Sequence, residues 1–233
     1  MHLFFGGIMK INYTFNNKKL ISTALCHSSY ANEHKHKNPD IECNERLEFL
    51  GDAILGFVVG EYIYKKFSLW PEGKLTKLRA SVVCENMLSK KGREMGINIA
   101  LKLGKGEEHT GGRARDSIIA DAVEAVIGAI YLDGGMESAR KFILGMLMEE
   151  IEEIASTVHI LDAKTTLQEI IQRNSQVPIE YKTIGESGPP HCKFFVVAVC
   201  HKNKILGKGK GHSKKEAEQK AAMEAINSLT ESK

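Results

Sequence analysis

Between about residues 10 and 155, apolar side chains recur at three- and four-residue intervals through long segments with few β-branched alternations. That spacing predicts a mainly helical region. Short breaks fall at Trp70-Pro71-Glu72-Gly73 and across residues 104–112, where Gly and Pro punctuate the pattern. After Ile160 the texture changes. A short helical signal over 162–173 is followed by strand-like 179–184, a Gly188-Pro189-Pro190 turn and a strand over 192–200. A tight turn at 201–204 then leads to a strand over 205–208 and a final helix over 213–229. The order α-β-β-β-α in about 70 residues is that of a small α+β domain. The expected division is therefore a mainly α domain over 1–155, a short linker over 156–161 and an α+β domain over 162–231.

Two helical segments carry charge where apolar composition predicts burial. Residues 44–59 read as a helix that is apolar nearly all round, the pattern of a buried element. At about 100° per residue, Glu45, Glu48 and Asp52 fall within an arc of roughly 60° and form one acidic stripe. Residues 118–132 repeat the arrangement, with Asp121 and Glu124 three apart as their only charges. An ionised carboxylate buried without a partner is costly, and Arg46 is the only local cation. Two arrangements answer the deficit: salt bridges to basic residues elsewhere in the fold, or hard divalent cations held between the helices. Five carboxylates in two such sets favour oxygen-ligated Mg²⁺ or Mn²⁺. No glycine pattern of a phosphate or dinucleotide loop opens either helix, and no Ser-His-Asp or Cys-His arrangement stands out.

The string Asn44-Glu45-Arg46-Leu47-Glu48-Phe49-Leu50-Gly51-Asp52 resembles the signature of bacterial ribonuclease III. Further matches are Leu25-Cys26-His27-Ser28-Ser29-Tyr30, Glu72-Gly73 with Leu75-Thr76-Lys77-Leu78-Arg79-Ala80, and Asp121 with Glu124 before Ala125-Val126-Ile127-Gly128. Cys26 departs from the Thr usual in the family, a change expected to affect packing. The resemblance implies a metal-dependent endonuclease that hydrolyses double-stranded RNA to 5′-phosphate and 3′-hydroxyl ends and processes ribosomal and other structured RNA. It implies that Glu48, Asp52, Asp121 and Glu124 hold Mg²⁺, for which Mn²⁺ can substitute, with Asp52 and Glu124 the pair most needed for chemistry. Glu45 and Glu72 match acidic positions tied to a second ion or to subunit contact. It also implies a homodimer through the nuclease domain, with two sites set across the duplex.

Charge distribution adds an independent pointer. Residues 161–233 hold 12 Lys and Arg against 8 Asp and Glu, whereas the first 160 hold 20 against 21, so the positive excess sits in the C-terminal third. Ser213 is placed to cap the last helix, whose Lys214 and Lys215 and free N–H groups suit an anion. With Gly207-Lys208-Gly209-Lys210-Gly211 ahead of it, this region looks like a double-stranded-RNA-binding domain. The resemblance implies RNA contacts from Thr165, Gln168 and Glu169 on the first helix, His191 in the loop, and Lys214, Lys215 and Gln219 on the last helix.

Five scattered cysteines without a CxxC pair read as free thiols, and no apolar run reaches the roughly 18 residues of a membrane span. A cytoplasmic protein is expected. Two other readings compete with the nuclease: a dimeric RNA-binding protein that keeps the fold without cutting, and a helical regulator whose buried acids pair internally.

Overall fold

A computed structural model describes residues 9–173, 175–189 and 193–231, with backbone alone at 157–162, 230 and 231. It divides into two compact units. One comprises residues up to Lys66 together with Thr76–Ile151, the other Phe67–Leu75 together with residues from Glu152 onward.

In the first unit, α1 (Lys18–Ala24) is capped by Asn17, whose side chain accepts from Lys19 N at 3.0 Å. Helix α2 (Ser28–His34) is capped by His27, whose Nδ1 accepts from Ser29 N at 3.3 Å. Then come α3 (Glu45–Lys66), α4 (Glu72–Val82), α5 (Glu85–Glu94), α6 (Ile97–Ala100), α7 (Lys105–His109) and a 3-10 turn over Gly112–Ala114. Helix α8 spans Asp116–Gln172. The break expected near 71 falls between α3 and α4, whereas the stretch expected as a break over 104–112 contains the short helix α7 and leads into the 3-10 turn.

Helices α3 and α8 form the centre of the first unit. Ile54, Leu55, Val58, Val59 and Ile63 of α3 are buried, as is an almost continuous run of α8 from Ile118 to Ile130. Their backbones touch because both carry glycine at the crossing. A Cβ on Gly51 would stand 1.8 Å from the Glu124 carbonyl oxygen, and one on Gly128 would stand 2.3 Å from that of Leu47. Helix α5 approaches α8 by the same device, since a Cβ on Gly92 would meet Ile119 Cγ2 at 2.5 Å. Small residues let helix axes close below the usual 8–10 Å.

Two expectations are modified here. Helix α3 is not buried all round: Phe49, Phe57 and Tyr64 are 80%, 55% and 70% exposed and lie with exposed Ala53 along one side. Residues 156–161 and 162–173, expected as a linker and a separate helix, continue α8, because no proline or helix-ending Gly interrupts that stretch. The one left-handed residue of α8 is Gly135 at φ 75°, a conformation glycine adopts at little cost. Beside it Asp133 accepts from Tyr13 Oη, Asn16 N and Asn17 N, each at 2.8 Å, pinning the N-terminal segment to α8.

The second unit holds an antiparallel sheet in the order β1 (Glu180–Ser187), β2 (Phe194–His201), β3 (Lys204–Gly211), followed by α9 (Lys214–Glu231). Lys202 and Asn203, at φ 50° and 63°, form a two-residue turn between β2 and β3 of the kind whose twist suits a hairpin. The core gathers Ala163 and Leu167 of α8, Val199 of β2, and Ala221, Ala222, Ala225 and Ile226 of α9. The alternating glycines of β3 face α9: a Cβ on Gly207, Gly209 or Gly211 would come within 2.2–2.7 Å of α9 backbone. Their role is close strand-to-helix packing, and the alternation turns Lys208 and Lys210 to the exposed side.

Candidate active site

The two acidic stripes of the sequence converge at the glycine crossing. Gly51 lies between Glu48 and Asp52, and it contacts the turn of α8 that bears Glu124. Glu48, Asp121 and Glu124, all half-buried, each offer a carboxylate oxygen, and these oxygens lie within 4.8 Å of one another. Asp52 and Glu45 sit at the exposed margin of the same α3 stripe.

The electrostatics follow from this crowding. Burial raises the Glu124 carboxyl first, and the charges of Asp52, Asp121 and Glu48 raise it further, to about 7. Burial, then Asp121, Glu45 and Asp52, raise Glu48. Burial and Glu85 raise Asp121, while His27 acts in the opposite sense. No described ion pair joins Glu48, Asp52, Asp121 or Glu124 to a basic side chain. The acids therefore repel one another without internal neutralisation, and the salt-bridge arrangement left open by the sequence is not the one formed among the described residues. Clustered carboxylate oxygens that cannot all ionise cheaply are a donor set for a hard divalent cation.

Glu85, at the first turn of α5, was not anticipated; it is exposed and only the fold carries it within electrostatic reach of Asp121. Glu72 opens α4 in the part of that helix that groups with the second unit, whereas α4 from Thr76 onward belongs to the first. Gly104 N donates to Ser29 Oγ at 2.9 Å, and Ser29 Oγ in turn lies 2.8 Å from His27 Nδ1. This chain of contacts fixes the loop bearing His27.

In the second unit, Thr165 and Gln168 are exposed on α8, and Glu169 is half-buried with its Oε2 unbonded. Ser213 Oγ accepts from Glu216 N at 3.1 Å, so the expected N-cap of α9 is formed. Lys214 and Lys215 are exposed in the first turn, Lys214 with its ammonium 5.8 Å from the Phe195 ring centroid. Gln219 is turned inward, its Oε1 accepting from Lys164 N at 3.1 Å. His191 lies outside the described residues.

Residues 17–151 match the family description Ribonuclease-III-like, and residues 163–229 match Double-stranded RNA binding motif. The chain belongs to the ribonuclease III family. A curated Ribonuclease 3 from Caldanaerobacter subterraneus subsp. tengcongensis is 48% identical over 94% of this chain and 95% of its own length. One from Desulforamulus reducens is 46% identical over 94% of this chain and 89% of its own length. Among solved structures, a nuclease domain of ribonuclease III from Campylobacter jejuni is 40% identical with a TM-score of 0.55, covering 60% of this chain and 92% of that one. Dicer from Pichia stipitis is 27% identical with a TM-score of 0.50, covering 94% of this chain and 98% of that one. The ribonuclease III chain described here is an endoribonuclease of double-stranded RNA with a helical nuclease region and an α-β-β-β-α RNA-binding region; the non-cleaving reading is not favoured.

Proposed function

We propose that Glu48, Asp52, Asp121 and Glu124 hold Mg²⁺, with Mn²⁺ as a competent substitute, and that Asp52 and Glu124 are the pair on which hydrolysis depends most. The observation that carries this reading is the convergence of Glu48, Asp121 and Glu124 oxygens within 4.8 Å. When bound, the cation supplies Lewis-acid chemistry, activating water and stabilising charge on the phosphodiester. The protein's part is to hold four carboxylates in place against their mutual repulsion, through the glycine crossing of α3 and α8. In the metal-free chain Glu124, with its carboxyl raised to about 7, is suited to hold a proton that the cation displaces on binding. Water attacks phosphorus, the bond to the 3′ oxygen breaks, and the products carry 5′-phosphate and 3′-hydroxyl ends. Glu45 is assigned to the margin of the site, where it serves a second ion or the partner subunit, and the same role is proposed for Glu72.

The reading extends to a C2 homodimer through the nuclease domain, which spans 1–155, with 156–161 connecting it to an RNA-binding domain over 162–231. Phe49, Ala53, Phe57 and Tyr64 give α3 an exposed apolar side that supports such an interface. Thr165, Gln168, Glu169, His191, Lys214, Lys215 and Gln219 are proposed as RNA contacts, with α9 lysines on phosphates. Processing of ribosomal and other structured RNA in the cytoplasm is the corresponding biological role. The described residues include no helix long and apolar enough to cross a membrane.

Calorimetric titration of the metal-free protein with Mn²⁺ tests the site. A binding isotherm in the wild type that Asp121→Asn weakens at least tenfold is expected; an unchanged isotherm would remove these carboxylates from the metal site.

A further inference from the structure

Cys26 and Cys43 flank the segment that carries α2 and leads into the catalytic helix α3, and nothing in the nuclease chemistry uses either. Asn44 N donates to Cys26 O at 2.8 Å. Because that amide nitrogen is bonded directly to the carbonyl carbon of Cys43, the Cα atoms of Cys26 and Cys43 are held roughly 5–6 Å apart. A disulfide spans Cα separations of about 4.4–6.8 Å. The two residues are free thiols, Cys26 buried at 3% exposure and Cys43 half-buried. Each is within electrostatic reach of the other. The Cys26 end is fixed on both sides: His27 N donates to Lys102 O at 3.1 Å, and Lys102 N to Leu25 O at 2.8 Å. Cys84, by contrast, is exposed, and its Sγ contacts Ser81 O within its own turn.

We propose that Cys26 and Cys43 form an oxidisable dithiol, a modification site that takes a peroxide or a low-molecular-weight disulfide as oxidant. With hydrogen peroxide, the more accessible Cys43 sulfur attacks one peroxide oxygen, the O–O bond breaks, and Cys43 becomes a sulfenic acid with release of water. The Cys26 sulfur then attacks the Cys43 sulfur, displacing its hydroxyl as a second water and forming the S–S bond. Two thiols lose two electrons and two protons, and one peroxide is reduced to two waters. Burial pushes the Cys26 thiol up, which keeps it protonated and leaves the first attack on the oxidant to the more accessible Cys43. The bond closes a loop that contains α2 and ends at Cys43, two residues before α3 begins at Glu45. Within a reducing compartment such a bond is transient, the usual mode of intracellular disulfides.

The test treats the reduced full-length chain with a small excess of hydrogen peroxide, blocks free thiols, digests without reductant and maps the products by mass spectrometry. The expected product is a Cys26–Cys43 linked peptide pair lighter by two hydrogens, formed equally in Cys84→Ser and restored to thiols by dithiothreitol. The oxidised chain then melts at a higher temperature than the reduced one, a shift that Cys43→Ser abolishes. Oxidation of Cys43 to sulfinic or sulfonic acid with Cys26 still a thiol, or a linkage confined to Cys84, overturns the proposal.

Discussion

A Cβ atom placed on Gly51 would lie 1.8 Å from the carbonyl oxygen of Glu124, closer than any real pair of such atoms. The residue that allows α3 and α8 to touch is thus next to Asp52, and the residue it touches is itself a site carboxylate. The backbone crossing and the acidic cluster are one feature. Gly51→Ala must push the helices apart by about an ångström or more in a close-packed core, a change that costs about 3 kcal/mol or more. A chemical-denaturation curve is expected to show that loss, and cleavage is expected to fall even in molecules that remain folded. A variant of wild-type stability and activity would mean that the crossing is not needed to set the carboxylates.

The pH dependence has a definite sign. Glu124 sits near 7 in the folded metal-free chain against an ordinary 4.5, so between those values the folded state binds more protons than the unfolded one. Stability of the metal-free protein therefore declines as pH rises through that window. Glu124→Gln removes the repulsion, and its metal-free melting temperature is expected to exceed that of the wild type at pH 7.5 and to approach it at pH 5. Divalent cation must displace protons, so the melting shift produced by Mg²⁺ is expected to grow as pH rises from 5.5 to 8. A shift that shrinks with rising pH would contradict the account.

Much of the fold could be read from the chain, for physical reasons specific to each element. The acidic stripe at Glu45, Glu48 and Asp52 stood out because charge on an apolar helix is costly, and the α9 cap was visible in Ser213 with its following lysines. The three strands followed from apolar alternation between turn residues, although β1 and β3 run further than their apolar portions, since pairing continues through Glu186, Ser187 and Gly211. The meaning of the β3 glycines was not legible: the run entered only as part of the resemblance to a double-stranded-RNA-binding domain, and the close contact of the glycines with Ala217, Ala221 and Ala225 depends on how α9 lies on the sheet. Glu85 was invisible because its relation to Asp121 depends on how α5 crosses α8, which no local spacing encodes. The exposed side of α3 was hidden for the opposite reason, because Phe49 and Phe57 fall in a segment whose apolar composition reads as buried.

RNA binding makes a separate prediction. Lys214 and Lys215 stand exposed in the first turn of α9, where phosphate contact releases counterions. Lys214→Ala with Lys215→Ala is expected to weaken duplex binding at 150 mM salt by about tenfold or more and to flatten the dependence of log affinity on log salt by roughly two. Cation binding at the nuclease site should be untouched. Filter-binding titrations across salt concentrations check both, and an unchanged slope removes these lysines from the interface.

Arg113 supplies a structural test away from both sites. Its guanidinium donates to the Glu108 carboxylate at 2.8 and 2.5 Å and to the carbonyls of Asn98, Ile99 and Leu101 at 2.7–3.0 Å. A lysine cannot reproduce that fork, so Arg113→Lys is expected to cost about 1–2 kcal/mol in a denaturation experiment while leaving the metal affinity of the folded protein intact. Equal stability of the two proteins would show that these carbonyls are satisfied without it.

The central claim is that the carboxylate cluster between α3 and α8 cuts duplex RNA with the help of a divalent cation. The direct measurement is cleavage of a long, end-labelled RNA duplex by wild type and Glu124→Gln, each with Mg²⁺ and with EDTA, alongside duplex binding by both. Cleavage by the wild type that requires Mg²⁺, and that Glu124→Gln reduces by at least a hundredfold while binding the duplex normally, is the predicted result. Cleavage that persists in EDTA or in Glu124→Gln at the wild-type rate would contradict it.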